Sequence, residues 1–256
     1  VTLDTAERIA MLKPIIESGG TMTLDDLAAA IASGAAAPLA SPEHLVIELI
    51  DAEGGAMPFE QARTLIREAA AARPDVCVTL TGHRGVDRVS DCLRYADLDR
   101  LIGAARGAGA AHVHVRPPAL AGGDAMVRLV RSGADVISLD VIAGEPSVYE
   151  LVAGVDGFAA SRDAIQRAIE ERNDMPRLDG IHSPWLVARL TRRDAVYESI
   201  SDLYDRWLLA CGAAVLDALP EPIAGERIAP LAVPASAQER FERTTAYVSA
   251  AGKLGG

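Results

Sequence analysis

Cysteine is scarce: Cys77, Cys92 and Cys211 are the only three in 256 residues, odd in number and far apart. Neither a disulfide framework nor a C-x-x-C metal knuckle can be built from them. Basic residues are outnumbered, 25 Lys and Arg against 36 Asp and Glu, for a net charge of −11. With no basic run to neutralise a phosphate backbone, nucleic acid is not expected as a partner. Apolar stretches are short and broken by charge, none near the roughly 20 residues of a membrane helix, and no signal-peptide pattern precedes them. No membrane is therefore expected as a partner, and the chain reads as cytoplasmic. It begins at Val1 without methionine, which reads as a piece of something longer. Aromatics make up only 4%, but half of the residues are hydrophobic, enough to bury a full core in a globular chain of this length.

What is present is alternation. Residues 3–17 and 24–32 have helical patterning, and with the Ala- and Pro-containing linker 33–42 they define an N-terminal helical arm, residues 1–41. From residue 42 to 220, strand-like and helix-like windows follow one another. The strand windows are 44–51, 75–82, 111–117, 134–140, 185–191 and, more weakly, 213–217. Helical spacing is clearest over 194–210, then 57–71 and 97–108. Strand–helix–strand order at this density means parallel strands joined by right-handed crossovers. About six such strands make a partial or full α/β barrel, or an open doubly wound sheet. Residues 221–256, rich in Pro and Ala, match neither period and read as an irregular tail.

Within the strands, alternate residues are apolar: Leu45, Ile47 and Leu49; Val113 and Val115; Ile137 and Leu139; Leu186, Ala188 and Leu190. These are the expected helix-facing residues. The other face carries Glu48, Thr79, Thr81, His83, His112, His114, Arg116, Ser138, Asp140, Arg189 and Thr191. Inward charge is costly unless paired or met by a ligand, so this face implies a solvated pocket or an ion network. Sites on such sheets lie at the carboxyl ends of strands, which selects His83, Arg116, Asp140 and Thr191. His112 and His114 read as lining residues hydrogen-bonded to Glu48 or Asp140, or else as two ligands of a metal completed by Glu48, His83 or Asp140. Asp140 is either the cap of the next turn or a ligand-pairing carboxylate beside Arg116 or Arg189. Arg189 is also a candidate partner for Glu48. The glycines of LTGHRGVD (80–87) match no phosphate-binding fingerprint.

Several segments resemble the radical S-adenosylmethionine enzymes. SLDVIAGEPSVYELVAGVDGFAASRDAI (138–165) is similar to their fourth strand and following helices, and VTLTGHRGVD (78–87) to their second strand with its glycine–acid–proline motif for the cofactor's amino group. LDRLIGAARGAGAAHVHVR (98–116) resembles the next helix and strand. ARLTRRDAVYESISDLYDRWLLACGAAVLDALP (188–220) resembles the fifth and sixth strand region of SPASM-type members, and TTAYVSAAGKLGG (244–256) the start of a SPASM region. The resemblance implies a parallel partial barrel over residues 42–220.

It also implies a four-iron four-sulfur cluster held by C-x-x-x-C-x-x-C after the first strand, but that loop here is DAEGGAMPFEQ (51–61), without a thiolate. The glycine–acid–proline motif is eroded to Gly82, His83 and Arg84, which speaks against the cofactor as well. No iron–sulfur cluster and no other cofactor is expected; S-adenosylmethionine is the one candidate left open. The reading is a cluster-free, radical-SAM-like barrel, a non-catalytic module of a larger protein that binds a small molecule or a protein partner. Its ligand-facing residues would be Glu48, Gly82, His83, His114, Arg116, Ser138, Asp140, Arg189 and Thr191. The alternative is an enzyme using the same face, metal-assisted through His112 and His114 or acid–base through His83 and Asp140.

Overall fold

The computed structural model describes residues 42–83, 90–118, 122–177, 181–217, 225–227, 237 and 244–255. The N-terminal arm expected over 1–41 lies outside them. Eight strands form one sheet: β1 (His44–Ile50), β2 (Cys77–Gly82), β3 (His112–Arg116), β4 (Val136–Asp140), β5 (Trp185–Thr191), β6 (Ala214–Asp217), β7 (Thr245–Val248) and β8 (Leu254–Gly255). Their order is β6-β5-β4-β3-β2-β1-β7-β8, parallel throughout except for the antiparallel β7–β8 pair. The sheet is a parallel α/β partial barrel and does not close.

From β1 to β6 each strand lies beside its predecessor, so the chain never reverses direction across the sheet. Right-handed crossovers that always advance the same way stack every helix on the same face. Those helices are α1 (Phe59–Ala72), α2 (Leu98–Gly107), α3 (Gly123–Arg131), α4 (Pro146–Ala153), α5 (Phe158–Asp174) and α6 (Ile200–Cys211). A single core joins them to the strands. Ile47, Leu80, Val115, Ile137, Leu139 and Leu186 pack with Ile66 of α1, Leu101 and Ile102 of α2, Met126 and Leu129 of α3, and Ile165 of α5. All ten apolar strand residues picked out by alternation are buried. Each large side chain so placed stabilises the fold by about 1.5–3 kcal/mol. Among the described residues no helix is long and apolar enough to cross a membrane.

Two expectations need correction. The window 194–210 is not one helix: a 3₁₀ turn, Asp194–Ser199, precedes α6. The tail is not wholly irregular, because β7 and β8 lie within it and β7 pairs in parallel with β1, Leu45 against Ala246 and Ile47 against Val248. A four-residue strand is too short to show an alternating pattern, yet it covers the edge that β1 would otherwise expose.

The end of α6 depends on a buried cation. Arg172 of α5 donates from Nη1 to the Cys211 carbonyl at 2.7 Å and from Nη2 to that of Ala210 at 3.2 Å. These carbonyls have no partner inside their own helix, and a cation there also meets the negative end of the helix dipole. Arg172→Met should lower stability by about 2 kcal/mol, read as a lower urea midpoint with an unchanged slope. An unchanged midpoint would show that water caps the helix equally well.

Candidate functional site

The face opposite the helices carries the polar residues, and they fall into three networks set by strand order. At the β7–β1–β2 side, the buried Glu48 carboxylate accepts three hydrogen bonds. Oε2 takes one from the Tyr247 hydroxyl at 2.5 Å and one from His83 Nδ1 at 3.2 Å, and Oε1 takes one from the Ala250 amide at 3.4 Å. His83 is pinned through its backbone: its N–H lies 2.9 Å from the Ile50 carbonyl and 2.6 Å from Ser90 Oγ. Its side chain stays about a third exposed, at 34%. Burial, and then the Glu48 carboxylate that accepts its hydrogen bond, push the Tyr247 hydroxyl well above the ordinary tyrosine range.

In the middle, His114 bridges its two neighbouring strands. Its Nδ1 shares a hydrogen bond with Thr79 Oγ1 at 3.1 Å, and its Nε2 shares one with Ser138 Oγ at 2.7 Å. Both ring nitrogens are engaged by hydroxyls, not by Glu48 or Asp140 as the sequence suggested. Glu48 is out of reach, since β3 lies two strands from β1, about 10 Å at the usual spacing, whereas Thr79 and Ser138 sit on the strands directly alongside; Asp140 shares β4 with Ser138 but stands four residues past Val136, the ladder partner of His114. His112 is exposed at the amino end of β3, away from the carboxyl ends. Among the described residues no three His, Cys, Asp or Glu side chains converge as a metal site.

At the β3–β5–β6 side, Arg116 and Arg189 both bond to Asp217. Arg116 Nη2 meets Oδ2, while Arg189 reaches Oδ1 through Nη2 and Oδ2 through Nε at 3.3 Å. Arg189 therefore pairs with Asp217 and not with Glu48, which lies four strands away, about 19 Å on a flat sheet. Arg116 and Asp217 are three strands apart, about 14 Å when flat, so their contact reports a sheet curled toward its polar face. Asp140 stands across from Arg189 in the ladder, and Thr191 across from Asp217. Asp217 was missed in the sequence because β6 was the weakest strand window, and Tyr247 because it lies in the tail. The signal for Asp217 was available: an acid ending a strand, as in Asp140.

Gly82 has a structural reason for being glycine. A Cβ there would come 2.1 Å from the Ser90 carbonyl oxygen. The segment 84–89, including Arg84 and Asp87, lies outside the described residues. Thr81 is buried, with Oγ1 donating to the Gly82 carbonyl at 3.0 Å.

The loop after β1 closes on itself. Asp51 Oδ1 accepts from the amides of Glu53 at 2.9 Å and Gly55 at 2.7 Å, and the Asp51 amide donates to the Gly55 carbonyl at 2.9 Å. Gly54 takes the left-handed conformation, φ 88°, that this tight turn requires. An iron–sulfur cluster needs thiolates, and this turn offers none. The chain's cysteines lie elsewhere: Cys92 and Cys211 are buried in the core, with burial pushing the Cys211 thiol up to about 11, and Cys77 is half-buried on β2. The residues present do not fit the cluster.

With this geometry in place, the fold is radical-SAM-like. SuiB from Streptococcus suis, solved bound to S-adenosylmethionine, aligns with TM-score 0.58 at 13% identity, over 96% of this chain and 71% of its own. Native anSMEcpe with bound AdoMet aligns with TM-score 0.52 at 10% identity, over 73% of this chain and 55% of its own. The anSMEcpe complex with AdoMet and the Cp18Cys peptide gives TM-score 0.52 and 10% identity, over 71% and 53%. The aligned part thus amounts to little more than half of anSMEcpe. No family model matches the sequence, and no curated protein matches it.

Two variants test the local chemistry. Below about pH 10 the Tyr247 phenol is protonated in both folded and unfolded chains and adds no pH dependence. Above it the unfolded chain releases a proton that the folded chain keeps, so stability falls as pH rises. Urea midpoints measured between about pH 9 and about pH 11 should fall more steeply for wild type than for Tyr247→Phe; parallel profiles would place the hydroxyl away from Glu48. Gly82→Ala should fail to fold or lose more than about 3 kcal/mol, and a stable, cooperative Gly82→Ala would show that Ser90 can move aside.

Proposed function

We propose that this chain is a cluster-free, radical-SAM-like barrel that acts as a non-catalytic binding module of a larger protein, holding a small molecule or a protein partner over its polar face. One observation carries the reading: the turn after β1 is closed by the Asp51 carboxylate and contains no thiolate. The polar face meanwhile is fully built, with Glu48, His114 and Asp217 each held by partners from other strands. Such a face is pre-organised, which lowers the entropic cost of seating a ligand. S-adenosylmethionine, which SuiB and anSMEcpe hold in their structures, is the first small molecule to try.

A second reading, an enzyme without the cluster, draws support from the Glu48–His83 pair. A carboxylate holding Nδ1 orients the imidazole, and among the described residues Nε2 has no partner, the arrangement of a general base. Glu48, rather than Asp140, would be the carboxylate in that role. The metal-assisted form draws no support from His112 and His114, since one is exposed at the far strand end and the other is engaged at both nitrogens. The enzyme reading becomes the better one if the purified chain turns over a bound ligand and His83→Gln stops it.

Anaerobic reconstitution with ferrous iron and sulfide tests the main reading. The desalted protein should stay colourless and retain no labile sulfide. Stoichiometric iron and sulfide with broad visible absorption would overturn it.

A further inference from the structure

We infer that Arg116 and Arg189 form an anion-binding site which Asp217 fills in the free protein, and that a carboxylate or phosphate group of the ligand takes the place of Asp217. The inference rests on the reading of the polar face as a ligand-binding surface. Asp217 is, among the described residues, the only carboxylate shared by two guanidiniums. Three N–H groups converge on it, two from Arg189 as a fork and one from Arg116. That fork matches any planar or tetrahedral oxyanion, which is why arginine recurs at carboxylate and phosphate sites. All three side chains are largely buried, so the attraction is little screened by salt.

Exchange, and not addition, follows from the local charge. Asp140 stands across from Arg189, so among the described residues two carboxylates accompany two guanidiniums on this side of the face. A further anion would be repelled, whereas one that replaces Asp217 preserves both the charge and the hydrogen bonds. The strands also differ in how firmly they are held. Arg116 and Arg189 stand on β3 and β5, each flanked by two strands. Asp217 ends β6, a four-residue strand paired among the described residues only to β5, with Val215 and Leu216 partly exposed. Short edge strands open at low free-energy cost, so the acid can leave while the arginines stay.

Thermal shift with sodium phosphate, sodium acetate and sodium chloride at matched ionic strength tests the exchange on wild type, Asp217→Ala, Asp217→Asn and the double variant Asp217→Ala/Arg189→Gln. Removing the internal competitor should strengthen phosphate or acetate binding by about tenfold, seen as stabilisation of Asp217→Ala at concentrations that leave wild type unmoved. The double variant should lose that response. A response to acetate alone identifies a carboxylate ligand, and one to phosphate alone a phosphorylated ligand. Asp217→Asn keeps the side-chain shape and serves if the alanine variant does not fold. Equal shifts in all three salts, or an undiminished shift in the double variant, would overturn the inference. Iron–sulfur uptake on reconstitution would sink the cluster-free reading without moving these salt responses, so the two failures are distinguishable.

Discussion

A parallel sheet whose crossovers all turn to one side has one face sealed by helices and one face that nothing in the same layer covers. That one-sidedness governs the rest of this molecule. The sealed face takes the apolar residues of every strand, from Ile47 on β1 to Leu186 on β5. The open face must then satisfy its own polar atoms or leave them to solvent and ligand. It does so by pairing across strands, and the spacing between strands decides which pairs can form. Glu48 meets groups of β2 and β7, His114 meets those of β2 and β4, and Arg189 meets that of β6.

Curl adds what spacing alone would forbid. Arg116 reaches past two strands to Asp217 because the sheet bends around its polar face. The loops at the carboxyl ends of the strands inherit this geometry. After β1, an aspartate stitches the loop to its own amides in place of any thiolate set. After β2, Ser90 comes so close that only glycine fits at position 82. Both are constraints of packing.

The fold was legible because alternation is a local property. Each of the six strand windows falls within two residues of β1 to β6, and the apolar set read from them is buried throughout. The polar residues were recognised as sharing a face for the same reason. Their partners were not, since pairing depends on which strands are neighbours, a property that no single segment encodes. Arg189 and His114 were each matched to Glu48 because charge suggests attraction without saying how far apart two strands lie. Tyr247 and Asp217 went unread because Thr245–Val248 and Ala214–Asp217 are only four residues long, too brief for a period of two to stand out.

The bond between Tyr247 and Glu48 joins residues 199 positions apart. Strands β1 to β6 are laid down neighbour by neighbour, so their pairings can form in the order in which the chain leaves the ribosome, each closing a modest loop. β7 cannot follow that schedule. It must return across the whole sheet to lie beside the first strand, and until it does Glu48 lacks its phenol and β1 its outer neighbour. Of β1 to β7, the one made first is thus the last to be finished, and the acidic end of the polar face matures only after the arginine end is already in place.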